Sequence, residues 1–382
     1  AASSTPGSCP AANPWRFCLP DVTLQLGGQA YGGWTSVEVS TSLGQVAGTF
    51  RLELSDRWPG QPQHHQINPG AACVLRLGDQ VVITGYVDEV SPSYSDNAHT
   101  ISVSGRDKTC DLVDCCHDGK TVQWTNASLL TIAKELCDPF GIAVASEVDL
   151  GKTLPSVTYG QGDKIHEFLA KQSKLLEVLP ISYGDGRLVF TRAGSARAAG
   201  SLVLGRNIKS GRGQFSNADR YQTYQVKSSA SQLDFSPPKP GEEGYEALLD
   251  LATTTATPAG LARDGGVTRH RPLVIVAEGA GDAQTAERRA AWEAASRAGK
   301  SRRASYTVQG WGPAAGSLWR INTLVGIEDA YLGLVGDYLI ETATYRLSES
   351  DGTVCELAVV HPDAYKAQPD TSAAASIKSL FG

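Results

Sequence analysis

The residues best suited to chemistry in this sequence fall into a few clusters. Cys110, Cys115, Cys116 and His117 lie close together, and thiolates and imidazoles are zinc ligands. Their spacing matches no standard zinc pattern, and no second cysteine pair follows at ribbon distance, so they are expected as free, mostly half-buried thiols. His64-His65 sits in a Pro/Gln-rich loop and reads as a solvated pair. His166-Glu167 falls inside a helical pattern without a second histidine four residues on, so it reads as a polar helix face rather than a metalloprotease motif. Asp88-Glu89 and Glu242-Glu243 are paired carboxylates, the groups that acid–base catalysis uses. Adjacent residues on a strand point to opposite faces, so neither pair is expected to share one site. Glycoside hydrolysis needs two carboxylates across a cleft, and nothing marks such a pair. No Gly-x-Ser-x-Gly elbow, His-Glu-x-x-His, Walker loop or dinucleotide fingerprint occurs. The expectation is a chain with no catalytic, cofactor-binding or metal-binding residues, and not an enzyme.

Composition narrows the class. The chain has 382 residues with 40 Gly and 19 Pro, so turns are dense. Aromatics at 7% and charged residues at 19% exclude a disordered chain, a collagen and a coiled coil. Lys plus Arg is 34 against 40 Asp plus Glu, a net charge of -6, which suits a dedicated nucleic-acid binder poorly. The longest clear apolar run, Pro272–Ala277, is far short of a membrane span. The first twenty residues lack the basic-then-apolar order of a signal peptide. The absence of Met fits a processed or trimmed chain. Eight cysteines are too few for a disulfide scaffold of this length, although Cys9 and Cys18 could pair in an oxidising medium.

The elements that would carry these residues are mainly strands. Residues 1–20, rich in Ala, Ser and Pro, read as an extended arm. From 21 to about 115 short alternating segments follow one another, as in Phe50, Leu52 and Leu54 between Arg51, Glu53 and Ser55. Gly78-Asp79 signals a hairpin. This spacing predicts a small antiparallel barrel or sandwich. Residues 116–200 read as an inserted α/β segment. Asn126 is expected to cap a helix carrying Leu129, Ile132, Ala133 and Leu136, Asp163 to cap another, and a hairpin follows around Gly184-Asp185-Gly186. Strands resume over 201–230 and 300–365, parted by an irregular excursion at 231–299. The excursion ends in a helix at 283–298, capped by Asp282 and closed by Gly299. Residues 366–382 form a tail.

The β segments echo one another. Gly85–Asp96 runs into the strand Thr100–Ser104 and the corner Gly105-Arg106-Asp107; Asp337–Tyr345 runs through a Ser/Asp turn into Val354–Val360 and His361-Pro362-Asp363. Trp34–Ser55 and Asn207–Ser228 match in outline. Two copies of one barrel are therefore expected, the second split by the excursion. The fold class is mainly β with α+β insertions: two similar small antiparallel β-barrels plus a mixed α/β middle region packing with helix 283–298.

From Arg288 the residues become specific. Arg288-Arg289-Ala290-Ala291-Trp292-Glu293, Tyr306-Thr307-Val308-Gln309-Gly310-Trp311, Leu318–Val325 and His361-Pro362-Asp363-Ala364-Tyr365, with Tyr31-Gly32-Gly33-Trp34, Phe50–Trp58 and Gly205-Arg206-Asn207-Ile208 earlier, resemble the baseplate hub protein of Mu-like contractile-tailed phages, the protein P or late control protein D-like family. The resemblance covers roughly 22–365 and is thin over 116–200. It implies a late structural protein of the virion, made in the bacterial cytoplasm and placed in the tail baseplate. It implies a homotrimer whose two barrels per chain present six similar surfaces to the tail tube or distal tube protein above and three to the central spike below. Surrounding wedge proteins would be further partners, and genomic DNA would meet the chain only in transit through an axial channel, with no membrane insertion. The hub module of a type VI secretion or tailocin spike is the alternative, although no spike repeat follows residue 365; a tail-associated cell-wall hydrolase is the second alternative. The basic run Arg288, Arg289, Arg297, Lys300, Arg302 and Arg303 is expected as a solvated face, with an acidic partner surface or passing DNA as the other readings. Trp292 is expected in a core, and Trp311 and Trp319 are expected to seat the 312–317 turn against the second barrel.

Overall fold

Alternation of buried and exposed side chains every second residue fixes the first strands, because a pleated chain sends successive Cβ atoms to opposite faces. The computed structural model describes residues 22–55, 67–96, 99–151, 153–194, 196–228, 259–277, 283–314, 316–366 and 368. The arm at 1–20 with Cys9 and Cys18, His64-His65, Glu242-Glu243, the Asp282 cap and the tail beyond 368 lie outside the described residues. The first half comprises β1 (Val22–Leu26), β2 (Gln29–Tyr31), β3 (Ser36–Ser42), β4 (Gln45–Ser55), β5 (Ala72–Leu77), β6 (Gln80–Tyr94) and β7 (His99–Asp107). Their order is β3-β4-β7-β6-β5-β1-β2, antiparallel throughout. Gly78, at a φ of 56°, makes the expected tight turn between β5 and β6.

The middle region comprises α1 (Cys110–Asp114), β8 (Gln123–Ser128), α2 (Leu129–Cys137), β9 (Val144–Ser146), β10 (Thr153–Thr158), α3 (Ile165–Leu175), β11 (Leu179–Ile181) and β12 (Leu188–Thr191). It buries its own cluster, including Leu129, Ile132, Leu136, Phe168, Leu169 and Phe190. Two expected caps are corrected. Ser128, not Asn126, caps α2, its Oγ accepting from the Thr131 N–H at 3.1 Å; Asn126 is still in β8, at a φ of 49°. Lys164, not Asp163, precedes α3, and its side chain makes no capping bond.

The chain then forms β13 (Ala196–Val203), β14 (Ile208–Phe215), β15 (Thr223–Ser228), β16 (Ala259–Arg263), β17 (Pro272–Ala277), α4 (Ala283–Lys300), β18 (Arg302–Gln309), β19 (Thr323–Asp329), β20 (Leu334–Ser348) and β21 (Gly352–Val360). The second half is ordered β14-β18-β21-β20-β19-β13, the same sequence of connections as β3-β4-β7-β6-β5-β1. One direction differs: β13 lies parallel to β19, whereas β1 is antiparallel to β5. An upstream match is corrected, since the counterpart of β4 is β18, not the strand at 223–228. That strand leaves the expected second-half range of 201–230 for a separate sheet, β16-β15-β17. The two halves join edge to edge through β3 and β20 into one 13-stranded sheet over a shared apolar cluster. Among the described residues no ladder closes either half into a ring. The chain is thus mainly β with α+β insertions.

Helix α4 packs on β15 and β16 because small residues let backbones approach. A Cβ at Gly260 would meet the Ala286 carbonyl at 2.0 Å, so β16 needs glycine there. Gly299 is not the expected helix stop: the helix runs through Lys300, and a Cβ at 299 would meet the Ala364 nitrogen at 2.6 Å. The excursion's turn is pinned by Arg220 and Asp264, a nearly buried bidentate pair at 2.8 Å. The Arg220 guanidinium holds the Asp264 carboxyl below its ordinary value of 3.8. A depressed acid contributes stability above its unfolded value and loses it as pH falls through the folded value. Thermal melts of wild type and Asp264→Asn should therefore differ by a constant amount above about pH 5, with the gap shrinking below about pH 4.

Candidate functional site

The structural centre of the molecule is the joint between the halves. β3 and β20 pair from Ser42 opposite Thr342 to Val37 opposite Leu347. One face of this joint is apolar: Val37, Val39, Ala343, Tyr345 and Leu347 are buried in the shared cluster. The other face is polar. Ser40 and Thr344 hydroxyls bond at 3.0 Å, Thr342 donates to Ser42 at 3.0 Å, and Arg346 reaches Glu38 at 3.3 Å and Glu356 at 3.0 Å. Cross-strand pairs of this kind fix register, because a slip of one residue would turn the apolar row to solvent.

Each half carries the same irregularity. A bulge inserts Asp88 between the β6 residues paired with Gly105 and Ser104; a bulge inserts Glu341 between the β20 residues paired with Val359 and Ala358. Asp88 binds Arg106 at 2.7 Å; Glu341 accepts from Tyr365 Oη at 2.7 Å and from Arg303 at 3.2 Å. The bulge overturns the expectation of opposite faces for Asp88-Glu89. An extra residue breaks the alternation and leaves both exposed. Burial, opposed in part by Arg303, raises the Tyr365 phenol, with the Glu341 carboxylate adding to the rise.

A second node ties the first half to the middle region. The Asp107 side chain is fully buried at the end of β7. It accepts from the Gly48 N–H at 2.9 Å, the Thr109 N–H at 2.8 Å, the Ser182 hydroxyl at 2.9 Å and the Thr109 hydroxyl. Burial pushes this carboxyl above its ordinary value, and those hydrogen bonds pull against it. One side chain thus holds β4, β7, the start of α1 and the loop after β11. The sequence marked Asp107 only as a corner; its partners come from Gly48 and Ser182, far away in the chain.

The other flagged residues do not converge. Cys110 is buried, with its thiol pushed up to about 12 by burial, while Cys116 donates to the Gly162 carbonyl at 3.4 Å. His117 Nε2 meets the Thr121 carbonyl at 2.9 Å, and burial lowers the half-buried His166. Among the described residues no group of three His, Cys, Asp or Glu side chains could hold a metal, and no helix is long and apolar enough to cross a membrane. Arg288, Lys300, Arg302 and Arg303 of the basic run are exposed, and most of the run also bonds within the chain. Arg289 and Arg297 both bind Glu293, Arg303 binds Glu341, and Arg302 donates to the Gly333 carbonyl. Trp292 is half-buried, not core. Its Nε1 donates to the Lys366 carbonyl at 2.7 Å, at the rim of a cleft of about 540 Å³ that α4 and the middle region line from opposite sides. Trp311 and Trp319 are buried against the second half, Trp311 donating to the Arg346 carbonyl at 3.0 Å.

Known proteins share this arrangement. Family models match three stretches: Mu phage baseplate assembly protein GpP-like, N-terminal, over 21–107; baseplate hub protein gp44-like, second domain, over 109–192; and Mu phage baseplate assembly protein GpP, fourth domain, over 282–368. Baseplate hub protein gp44 of Escherichia phage Mu is 35% identical over 335 residues, covering 87% of this chain and 85% of its own length. The chain belongs to the Mu-like baseplate hub family. The 43 kDa tail protein of prophage MuSo2 from Shewanella oneidensis superposes on this hub chain with a TM-score of 0.77 at 37% identity, covering 91% of this chain and 99% of that one. The E. coli c3393 protein, a component of the type VI secretion system, shares the fold alone, with a TM-score of 0.50 at 9% identity over 91% of this chain and 79% of that one. The family's hub proteins are structural.

Proposed function

We propose that this chain is the structural hub of a contractile tail baseplate, a homotrimer that adapts the sixfold tail tube to the threefold central spike. The single observation that carries this reading is the repeat. Two halves with one strand order, spliced by β3 and β20, let three chains present six similar surfaces. Each half, β1–β7 and then β13, β14 and β18–β21, acts as a tube-like unit. The middle region, α1 to β12, and the β16-β15-β17 sheet with α4 lie outside the ring, where they meet surrounding wedge proteins. The polar face of the joint suits a channel wall for DNA in transit. Its hydroxyls are paired, and Glu38 and Glu356 neutralise Arg346, so a passing polyanion finds no row of free cations. The chain acts without catalysis, cofactor or metal; it is made in the host bacterial cytoplasm and works in the virion baseplate.

A symmetry-free reconstruction of the assembled particle tests this. Three copies around the tail axis, with both halves of each in one ring between tube and spike, are expected. Six copies, or a ring built from one half only, would overturn it.

A further inference from the structure

The sheet β16-β15-β17 is covered on one side only. Tyr224, Val226, Ala262, Leu273 and Ile275 pack against α4. The ladders set Gln225 beside Leu261 and Val274, and Lys227 beside Val276, so these side chains point the other way. There Leu261 is 54% exposed, Val274 51% and Val276 66%. β17 reads Pro-Leu-Val-Ile-Val-Ala, apolar at every position, and it runs parallel to β15. A continuous apolar run in a parallel pair marks a strand buried on both faces, because a strand with one wet face alternates. One row of β17 has its cover in α4; the other has none among the described residues. Lys227 and Arg263 are exposed at the two ends of this open face.

We propose that residues 242–252 of the same chain form an amphipathic helix that seats on the open face. The chain between β15 and β16, residues 229–258, lies outside the described residues, and both its ends are at this sheet, where Lys227 pairs with Ala259. Within it Tyr245, Leu248, Leu249 and Ala252 recur at i, i+3, i+4 and i+7, the spacing of one apolar helix face. Glu242, Glu246 and Asp250 recur beside that stripe. Pro240-Gly241 precedes the stretch and Thr253-Thr254-Thr255 follows it, residues that suit helix ends better than interiors. Glu242-Glu243 then falls in the first turn, where the helix dipole favours acids. The dimensions agree. A helix over 242–252 is about 16 Å long, and a strand the length of β17 about 20 Å. Three strands set their outer axes about 10 Å apart, the width of one helix. Residues 253–258 reach up to about 20 Å, enough to return from the face to Ala259. The occupant belongs to this chain because its tether begins and ends on the sheet it covers, and its acids meet Lys227 and Arg263. So short a tether holds the segment at an effective concentration on the order of millimolar, so a modest apolar contact suffices to seat it. The contact lies within one chain and does not depend on the trimer.

Hydrogen exchange and thermal melts of the full-length chain test this. Amides of 244–252 should exchange at least about tenfold more slowly than in a synthetic peptide of residues 240–254. Val274→Asp with Val276→Asp, both at exposed positions, should remove that protection and lower the melting temperature. Leu248→Asp with Leu249→Asp should do the same from the other side. All four together should lower it no further than either pair, because both pairs break one contact. Peptide-like exchange over 244–252, or protection that survives the Val274→Asp and Val276→Asp changes, overturns the proposal. A face that gains protection only in assembled particles belongs to another baseplate protein and overturns it too. If the face variant does not fold, the segment variant decides, and a melting temperature equal to wild type removes the contact.

Discussion

Replacing Asp107 with Ala should destabilise the chain by about 3–5 kcal/mol, the range for stripping the acceptor from several buried donors at once. The Gly48 and Thr109 N–H groups and the Ser182 hydroxyl all point at this carboxylate, and Asp107 itself is fully buried. The donors lose their acceptor, at up to about 1–3 kcal/mol each. The loss is also topological. Without the carboxylate, Ser182 no longer ties the loop after β11 to β7, and the middle region should loosen before the large sheet does. Asp107→Asn keeps the volume and one acceptor oxygen but turns an amide toward donors, so a smaller loss is expected. Calorimetry of the three proteins, with hydrogen exchange over 109–192, checks both parts. An Ala variant melting within a degree of wild type would remove the node from the account.

Proline at Ser40 should do comparable damage by another route. β3 is paired on both edges, with β4 and with β20, so the Ser40 N–H has a ladder partner whichever side it faces. Proline removes that donor and fits poorly in a central strand, at about 3 kcal/mol or more. At roughly 2–4 °C per kcal/mol for a large domain, the melting temperature should fall by at least about 6 °C. The sharper expectation concerns the joint. With β3 disturbed, Thr342–Leu347 of β20 lose their partner, and the halves should melt in two steps rather than one. Ser40→Val keeps the ladder and loses only the hydroxyl contact with Thr344, so its effect should stay below about 1 kcal/mol. Scanning calorimetry distinguishes these outcomes, and a Ser40→Pro chain that still melts as one unit would show that the shared apolar cluster alone holds the halves together.

Much of the architecture was written in local pattern. The alternation Phe50-Arg51-Leu52-Glu53-Leu54 is a half-buried strand wherever it occurs, Gly78 turns because its φ is positive, and the periodicity of Leu129, Ile132 and Leu136 makes a helix with one buried face. The echo of Gly85–Asp107 in Asp337–Asp363 was legible for the same reason, since both are long hairpins with an acidic residue at a fixed place, and the family followed from motifs in the last third. What sequence alone could not determine depended on who sits beside whom. The match of β3 with β14 was visible, but its next strand was mistaken for β15, because strand partners are chosen by tertiary packing and not by chain order. The opposite-face argument for Asp88-Glu89 failed at a bulge, which is defined by the partner strand's register and leaves no mark in one strand's residues. The intrachain partners of the basic run were not legible, because Glu341 and the Gly333 carbonyl lie thirty or more residues beyond its last arginine. Above all, the splice of β3 to β20 joins residues some three hundred positions apart. Hydrogen-bond ladders are made by any backbone of suitable direction, so local sequence sets which face each strand buries, while only the folded chain decides which edge it meets and which edge it leaves open.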